Sequence, residues 1–377
     1  MDVDAKSPEF LSKILKKNVV SVESQVLTEE EGGMSGAVLT RLVLKMDKGE
    51  EFSLILKERR DNLESSIQLG LAREAFVMPY LKKAFEGHIP KIYHAFGSMK
   101  TGEKIILMED LVQSGAVNSS SCFPNFVKNK GKDIETRISV EDLVHVSFTA
   151  AAHLHASFWR FKPEPWLRTS SWVPTIESKL GIHQFLQLTK LFQDSWAQNK
   201  TMMENNKSKV QWDPLVIKAL DASMKKISVK QYKEENAKRP WTLVHGDFHP
   251  SNIFVRLQNA DPSIVYVDFE MVGLGSGPQE LGQYMISHCE PKLRKSIERK
   301  AVESYYKELC AANPRVDMSW DLCWSEYVNG GIGRWLWFLP ILATMLDAEV
   351  MQYFHDQVKC FLQDHFEDAE KVPMPRI

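Results

Sequence analysis

A chain of 377 residues, 44% hydrophobic and 25% charged, is long enough for two domains and has no signature of disorder. A formal net charge of −2 leaves no basic footprint for nucleic acid or an anionic membrane surface. The opening MDVDAKSPEF is acidic where a signal peptide is basic and then apolar, and the five cysteines are scattered with no CxxC pair. A cytoplasmic protein with reduced thiols and no zinc site is therefore expected.

In chain order, SVESQVLTE (21–29) and GAVLTRLVLK (36–45) are β-branched runs on either side of EEGGMSG, a glycine turn. EFSLILKE (51–58) alternates, with Phe52, Leu54 and Leu56 on one face and Ser53, Ile55 and Lys57 on the other. ESSIQLGLAREAFVMPYLKKAF (64–85) carries a helical stripe at Ile67, Leu71, Met78, Leu81 and Phe85, and Pro79 should kink or end that helix. EKIILMEDL (103–111) is a further strand, and NSSSCFPNFVKNKGKD (118–133) reads as a long polar loop.

Beyond that loop the pattern is mainly helical, over 141–161, 175–203, 213–230, 291–312 and 321–365. The most apolar stretch, WLWFLPILATML (335–346), is too short to span a bilayer and reads as a buried helix kinked at Pro340. One β-like island, 242–275, interrupts the helices. The expected fold is α+β: a small sheet with one helix over 1–108, a connector at 109–113, and a larger helical part over 114–377 with a hairpin set into it. A ligand is expected in the cleft between the two parts.

Glu74 falls on the apolar stripe, spaced with 67, 71, 78, 81 and 85. A carboxylate there either pairs with a cation, for which Lys57 is the candidate, or reaches solvent at the stripe's edge. The GGMSG turn (Gly32, Gly33, Ser35) has glycines that let backbone N–H groups approach phosphate, but lacks the Lys-Ser/Thr of a Walker A loop; it is equally an ordinary hairpin turn.

The motif HGDFHPSN (245–252) poses the main question. His245 and His249 have the spacing of two helical metal ligands, yet Gly246 and Pro250 argue against a helix. The alternative uses Asp247, Asn252 and Asp268. Protein kinases separate a base Asp from a Mg²⁺-binding Asn by five residues and take a further Asp from after the next strand, the spacing found here. Turn capping explains one of the three residues comfortably, and all three poorly.

HGDFHPSNIFV followed by VDFEMVGLG resembles the signatures of the aminoglycoside phosphotransferase and choline kinase superfamily, enzymes with a bilobal protein-kinase-like fold that phosphorylate small molecules. The resemblance covers most of the chain. GGMSG, Lys57, Glu74 in AREAF, LMEDL (107–111) and AHLHASFW (152–159) match its successive elements, and the serine-rich insertion with DFE is most similar to the ecdysteroid-kinase-like branch.

The resemblance implies ATP and Mg²⁺ as cofactors and a small-molecule alcohol as acceptor. It implies Asp247 as catalytic base, Asn252 and Asp268 as metal ligands, and Lys57, oriented by Glu74, on the α- and β-phosphates. Gly32, Gly33 and Ser35 would lie at the phosphates, with Met108, Glu109 and Leu111 at the adenine. His249 would either contact the γ-phosphate or make a structural hydrogen bond. Glu270 would assist the metal or finish the turn. ELGQY (280–284) departs from the family's usual D-L-A.

The acceptor pocket is expected from 114–140 and the helices after 285. There Glu290, Asp347 and Glu349 would suit a cationic alcohol, and Trp335, Trp337 and Phe338 an apolar one. Two rival readings are a metallophosphoesterase, whose further ligand motifs are missing, and a catalytically silent nucleotide-binding scaffold, which would normally have lost the base, metal ligand or lysine.

Overall fold

The computed structural model describes residues 4–28, 37–59, 66–67, 69–159, 173, 179–257 and 261–376. The GGMSG turn, with Gly32, Gly33 and Ser35, lies outside the described residues. The chain divides into two compact units, Met1–Asn118 with Ser251–Val272, and Ser119–Pro250 with Gly273–Ile377.

The first unit is built on an antiparallel sheet of β1 (Val19–Val26), β2 (Ala37–Met46), β3 (Glu51–Arg59), β4 (Ile92–Gly97) and β5 (Lys104–Glu109), ordered β1-β2-β3-β5-β4. Leu42, Leu44, Leu54, Leu56 and Leu107 are fully buried in one cluster with Leu11 of helix α1 (Pro8–Leu15), which was not among the expected elements. Ser7 caps α1 by accepting from the Phe10 N–H, and proline occupies its first position. Ile55 and Lys57 are buried as well, so β3 is covered on both faces.

Helix α2 (Arg73–Ala84) runs through Pro79 instead of ending there. Proline forfeits one backbone hydrogen bond, and the buried Val77, Met78 and Leu81 around it keep the helix docked. Of its expected stripe, Met78 and Leu81 are buried within α2, Leu71 and Phe85 are buried just outside its two ends, and Ile67 lies outside it and is exposed.

Five short strands follow: β6 (Ala116–Asn118), β7 (Thr242–Val244), β8 (Ile253–Arg256), β9 (Ser263–Tyr266) and β10 (Gly273–Gly275). Strands β6, β8 and β9 make a three-stranded sheet in the first unit, and β7 pairs with β10 in the second.

The second unit is mainly helical: α3 (Val140–Ser157), α4 (Lys179–Glu204), α5 (Pro214–Lys225), α6 (Val229–Lys238), α7 (Gly277–His288), α8 (Pro291–Ala312), α9 (Trp320–Met345) and α10 (Ala348–His365). Two expected helices are each split. Ser228 caps α6 within 213–230, and Asp347 caps α10 within 321–365. A cap residue inside a continuous apolar period is the signal that marks such breaks.

Pro340 sits inside α9, whose Trp335, Trp337 and Leu339 are core residues. The segment 118–133 is not simply a polar loop. Cys122, Phe123, Phe126 and Asn129 are buried, and the Asn129 amide donates to the Ser120 and Phe123 carbonyls. Among the described residues, no helix is long and apolar enough to cross a membrane.

Helix α7 is buried along almost its whole length. It approaches α9 so closely that a Cβ on Gly282 would lie 2.4 Å from the Tyr327 carbonyl oxygen and 2.6 Å from Gly331 Cα. Only glycine fits at that crossing, and the crossing sets where Glu280 and Gln283 project.

Candidate active site

In the first unit, the β3–β5 register sets Lys57 opposite Ile106, and α2 carries Glu74 in its first turn. Glu74 does meet Lys57: the ammonium lies 3.0 Å from Glu74 Oε1 and 2.8 Å from Oε2. Glu74 Oε1 also accepts from the Phe269 N–H at 3.1 Å. Lys57 further donates to Asp268 Oδ1 at 2.8 Å and lies 3.2 Å from Glu270 Oε1.

A residue that the sequence did not single out completes the cluster. Lys104, at the start of β5, donates to Glu74 Oε2 at 2.9 Å and makes a short contact with Glu270. Lysine is rarely buried unless paired, but a lysine at a strand end gives no sign of its depth until the register is known.

Burial opposes charge on both members of the Lys57–Glu74 pair, and the neighbours overrule it. Asp268, Glu270 and Glu74 hold the Lys57 pKa well above its ordinary value. Lys104 and Lys57 hold Glu74 well below the usual carboxylate range. Asp268 is raised, because burial and the like charges of Glu270 and Glu74 outweigh Lys57. Its backbone is left-handed, φ 66° and ψ 63°, an uncommon conformation for a non-glycine residue.

The β8–β9 hairpin sets Asn252 beside this turn, since its carbonyl accepts from the Val267 N–H at 3.0 Å. Ligand atoms of Glu74, Asp268 and Glu270 lie within 4.8 Å of one another. Hard oxygen donors of this kind suit Mg²⁺. All three carboxylates meet Lys57, Glu74 and Glu270 meet Lys104 as well, and Asp268 is the most exposed of the three. Asp268 and Asn252 both carry oxygen donors of the type that Mg²⁺ takes.

In the LMEDL strand end, the Glu109 N–H donates to the Lys91 carbonyl at 2.9 Å and its carboxylate pairs with Arg256. Met108 pairs with Ile55 in the sheet, and Leu111 packs with Ala116 and Val265. Asp110, buried, accepts from Arg41 Nε and from the Ser53 hydroxyl, both at 2.7 Å.

In the second unit, the catalytic-loop candidate 245–249 is held by its backbone. Gly246 has φ 84°, the left-handed region. Glu280 of α7 accepts from the His245 N–H at 3.1 Å and the Gly246 N–H at 2.7 Å, and it also meets His155 Nε2 at 3.0 Å. Arg334 of α9 donates to the Gly246 carbonyl. The two peptide groups flanking Gly246 Cα are thus held, the first by an anion at its N–H and the second by a cation at its carbonyl. Glu280 occupies the place where the motif departs from D-L-A, and it supplies the anchoring carboxylate.

Asp247 is addressed from two directions, by Gln283 Nε2 at 3.1 Å from Oδ1 and by His249 Nε2 at 3.3 Å from Oδ2. Against burial, His249 and then Arg334 and His245 hold its carboxyl far below the usual range. The two motif histidines take separate roles: His249 faces Asp247, while His245 Nδ1 accepts from the Asp247 N–H at 3.3 Å. His249 also stacks parallel to His288, ring centroids 6.2 Å apart.

His155 is buried in α3 between Glu280 and the Tyr305 hydroxyl, whereas His153 pairs with Glu308 at the surface. Of the acidic acceptor candidates, Glu290 and Asp347 are helix caps and Glu349 is an exposed partner of Lys130.

This fold, a five-stranded sheet with its lysine–glutamate pair and a helical unit carrying a braced aspartate loop, is that of the protein-kinase-like phosphotransferases. It resembles the structure of a microcompartment-associated aminopropanol kinase, with 13% identity, coverage of 97% of this chain and 99% of that one, and a TM-score of 0.55. The GDP complex of wild-type aminoglycoside 2'-phosphotransferase-IIIa is similar too, with 13% identity, 94% and 97% coverage, and a TM-score of 0.51. No curated protein matches the sequence. Residues 38–317 match the ecdysteroid kinase-like family, and the chain belongs to it.

Proposed function

We propose that the protein is an ATP-dependent kinase of small molecules, moving the γ-phosphate of ATP to an alcohol hydroxyl. The observation that carries this reading is the buried convergence of Lys57, Glu74 and Asp268, brought from a strand, a helix and a turn into one cluster. In this reading Lys57 holds the α- and β-phosphates and Glu74 orients it. Gly32, Gly33 and Ser35 would meet the phosphates, as the family resemblance implies, and Met108, Glu109 and Leu111 flank the adenine. Asp268 and Asn252 hold the Mg²⁺, which when bound neutralises charge on the phosphate oxygens.

Asp247 is the general base. Its depressed pKa keeps it ionised across the physiological range, so it orients the acceptor hydroxyl and takes the proton late, as a loose transition state allows. Gln283 and His249 keep its two oxygens in a set orientation. The acceptor is a small alcohol, handled by 114–140 and the helices after 285, in a cytoplasmic, reducing setting.

The test is ATP-dependent phosphorylation of an alcohol panel: amino alcohols, aminoglycosides, polyhydroxylated sterols and sugars. Asp247→Asn should lower transfer by about 10²–10⁴-fold while leaving the fold intact by circular dichroism. Unchanged turnover in that variant would remove Asp247 from the role. MgATP binding with no transfer to any acceptor would favour the silent scaffold.

A further inference from the structure

Lys104 has no part in the roles above, yet only 3% of it is exposed. Its ammonium bridges Glu74 Oε2, at 2.9 Å, and Glu270 Oε1. The cluster therefore holds two ammoniums and three carboxylates, and Lys57 alone touches all three carboxylates, within 3.2 Å. A lysine that serves nucleotide phosphate must be able to turn toward it without leaving Glu74 and Glu270 as bare buried anions, which is costly. Lys104 reaches those two and is not among the contacts of Asp268.

We propose that Lys104 is a positioning residue of the nucleotide site: it neutralises the Glu74–Glu270 pair so that Lys57 is free to engage phosphate, and it keeps Glu270 from competing with Asp268 for the metal. The proposal rests on the phosphotransferase reading. Both lysines hold the Glu74 carboxyl down, each by its charge and by a hydrogen bond.

The experiment measures MgATP affinity by calorimetry, and KM and kcat with an acceptor in hand, for wild type, Lys104→Met and the double variant Lys104→Met/Glu270→Gln. Lys104→Met should weaken MgATP binding by about tenfold or more, since a buried charge has lost its partner, and should raise KM for ATP more than it lowers kcat. Three carboxylates and one ammonium surround Lys57 in wild type and two carboxylates in the double variant, so the net charge facing it is the same and affinity should return to within about threefold of wild type.

Equal affinity in wild type and Lys104→Met overturns the proposal, and so does a double variant as weak as the single one. If Lys104→Met does not fold, the double variant carries the test alone, with binding near wild type supporting the proposal and a larger loss overturning it. A wild-type protein that binds no MgATP overturns the phosphotransferase reading itself, and this inference with it.

Discussion

The two chemically dense regions of the molecule are held together by different means. In the first unit, Lys57, Lys104, Glu74, Asp268 and Glu270 form a side-chain lattice in which every ion contacts at least one ion of opposite sign. In the second, the loop at 245–249 is fixed through its backbone, with Glu280 taking two N–H groups and Arg334 donating to a carbonyl. A lattice of charges can redistribute when one member turns to a ligand. A pinned backbone keeps a single aspartate aimed in one direction. Under the proposed function, the first arrangement would suit a site that exchanges partners with phosphate and metal, and the second a general base.

That contrast can be broken by substitution. Glu280→Ala should have the largest effect on stability, because two backbone donors and His155 lose their acceptor inside a buried helix. A loss of about 3–5 kcal/mol is expected from denaturant unfolding, in the range seen when a buried charged partner is removed. Glu74→Gln should cost less, about 1–3 kcal/mol, because the two lysines then face two remaining carboxylates. If Glu74→Gln were the more damaging change, the lattice would not be redistributing charge, and the contrast would fail.

Acid sharpens the comparison. Burial pushes the His288 pKa well below its ordinary value, so the folded state keeps it neutral while the unfolded chain takes up a proton below about pH 6.5. Stability should fall as pH drops from 7 toward 5, by at most about 1.4 kcal/mol per pH unit from this one group. His288→Gln should flatten the urea-midpoint profile over that window. Glu74, whose pKa is depressed, contributes stability that is present above the ordinary carboxylate range and is lost only at lower pH. An unchanged slope in His288→Gln would show that His288 does not titrate as described. The smallest effect belongs to Glu349→Ala, which removes an exposed pair with Lys130 and should leave the melting temperature unchanged by calorimetry.

Much of the first unit was legible from alternation and stripe alone. The period of β3 puts Lys57 on a definite face and the helical period puts Glu74 on the apolar stripe; local pattern left pairing and solvent exposure both open, the family resemblance implied the pair, and the structure has it. The missed elements are short, and for these local pattern is weak. Helix α1 has eight residues and β6 has three. Pro79 shows tertiary packing overruling local preference, because the buried residues around it hold the helix through the defect.

By itself the sequence determined which residue types stand at chemically spaced positions: Asp247, Asn252 and Asp268 along the chain, and a glutamate on the apolar stripe of a helix. These are properties of local period and spacing. Only the tertiary structure decided which charges share a partner. Lys104, Glu270, Glu280, Gln283 and Arg334 acquire their contacts from strand register and from the α7–α9 crossing, where Gly282 meets Gly331. A pairing made across 166 residues, as between Lys104 and Glu270, leaves no mark in either residue's own neighbourhood, because its energy comes from burial that the whole fold creates.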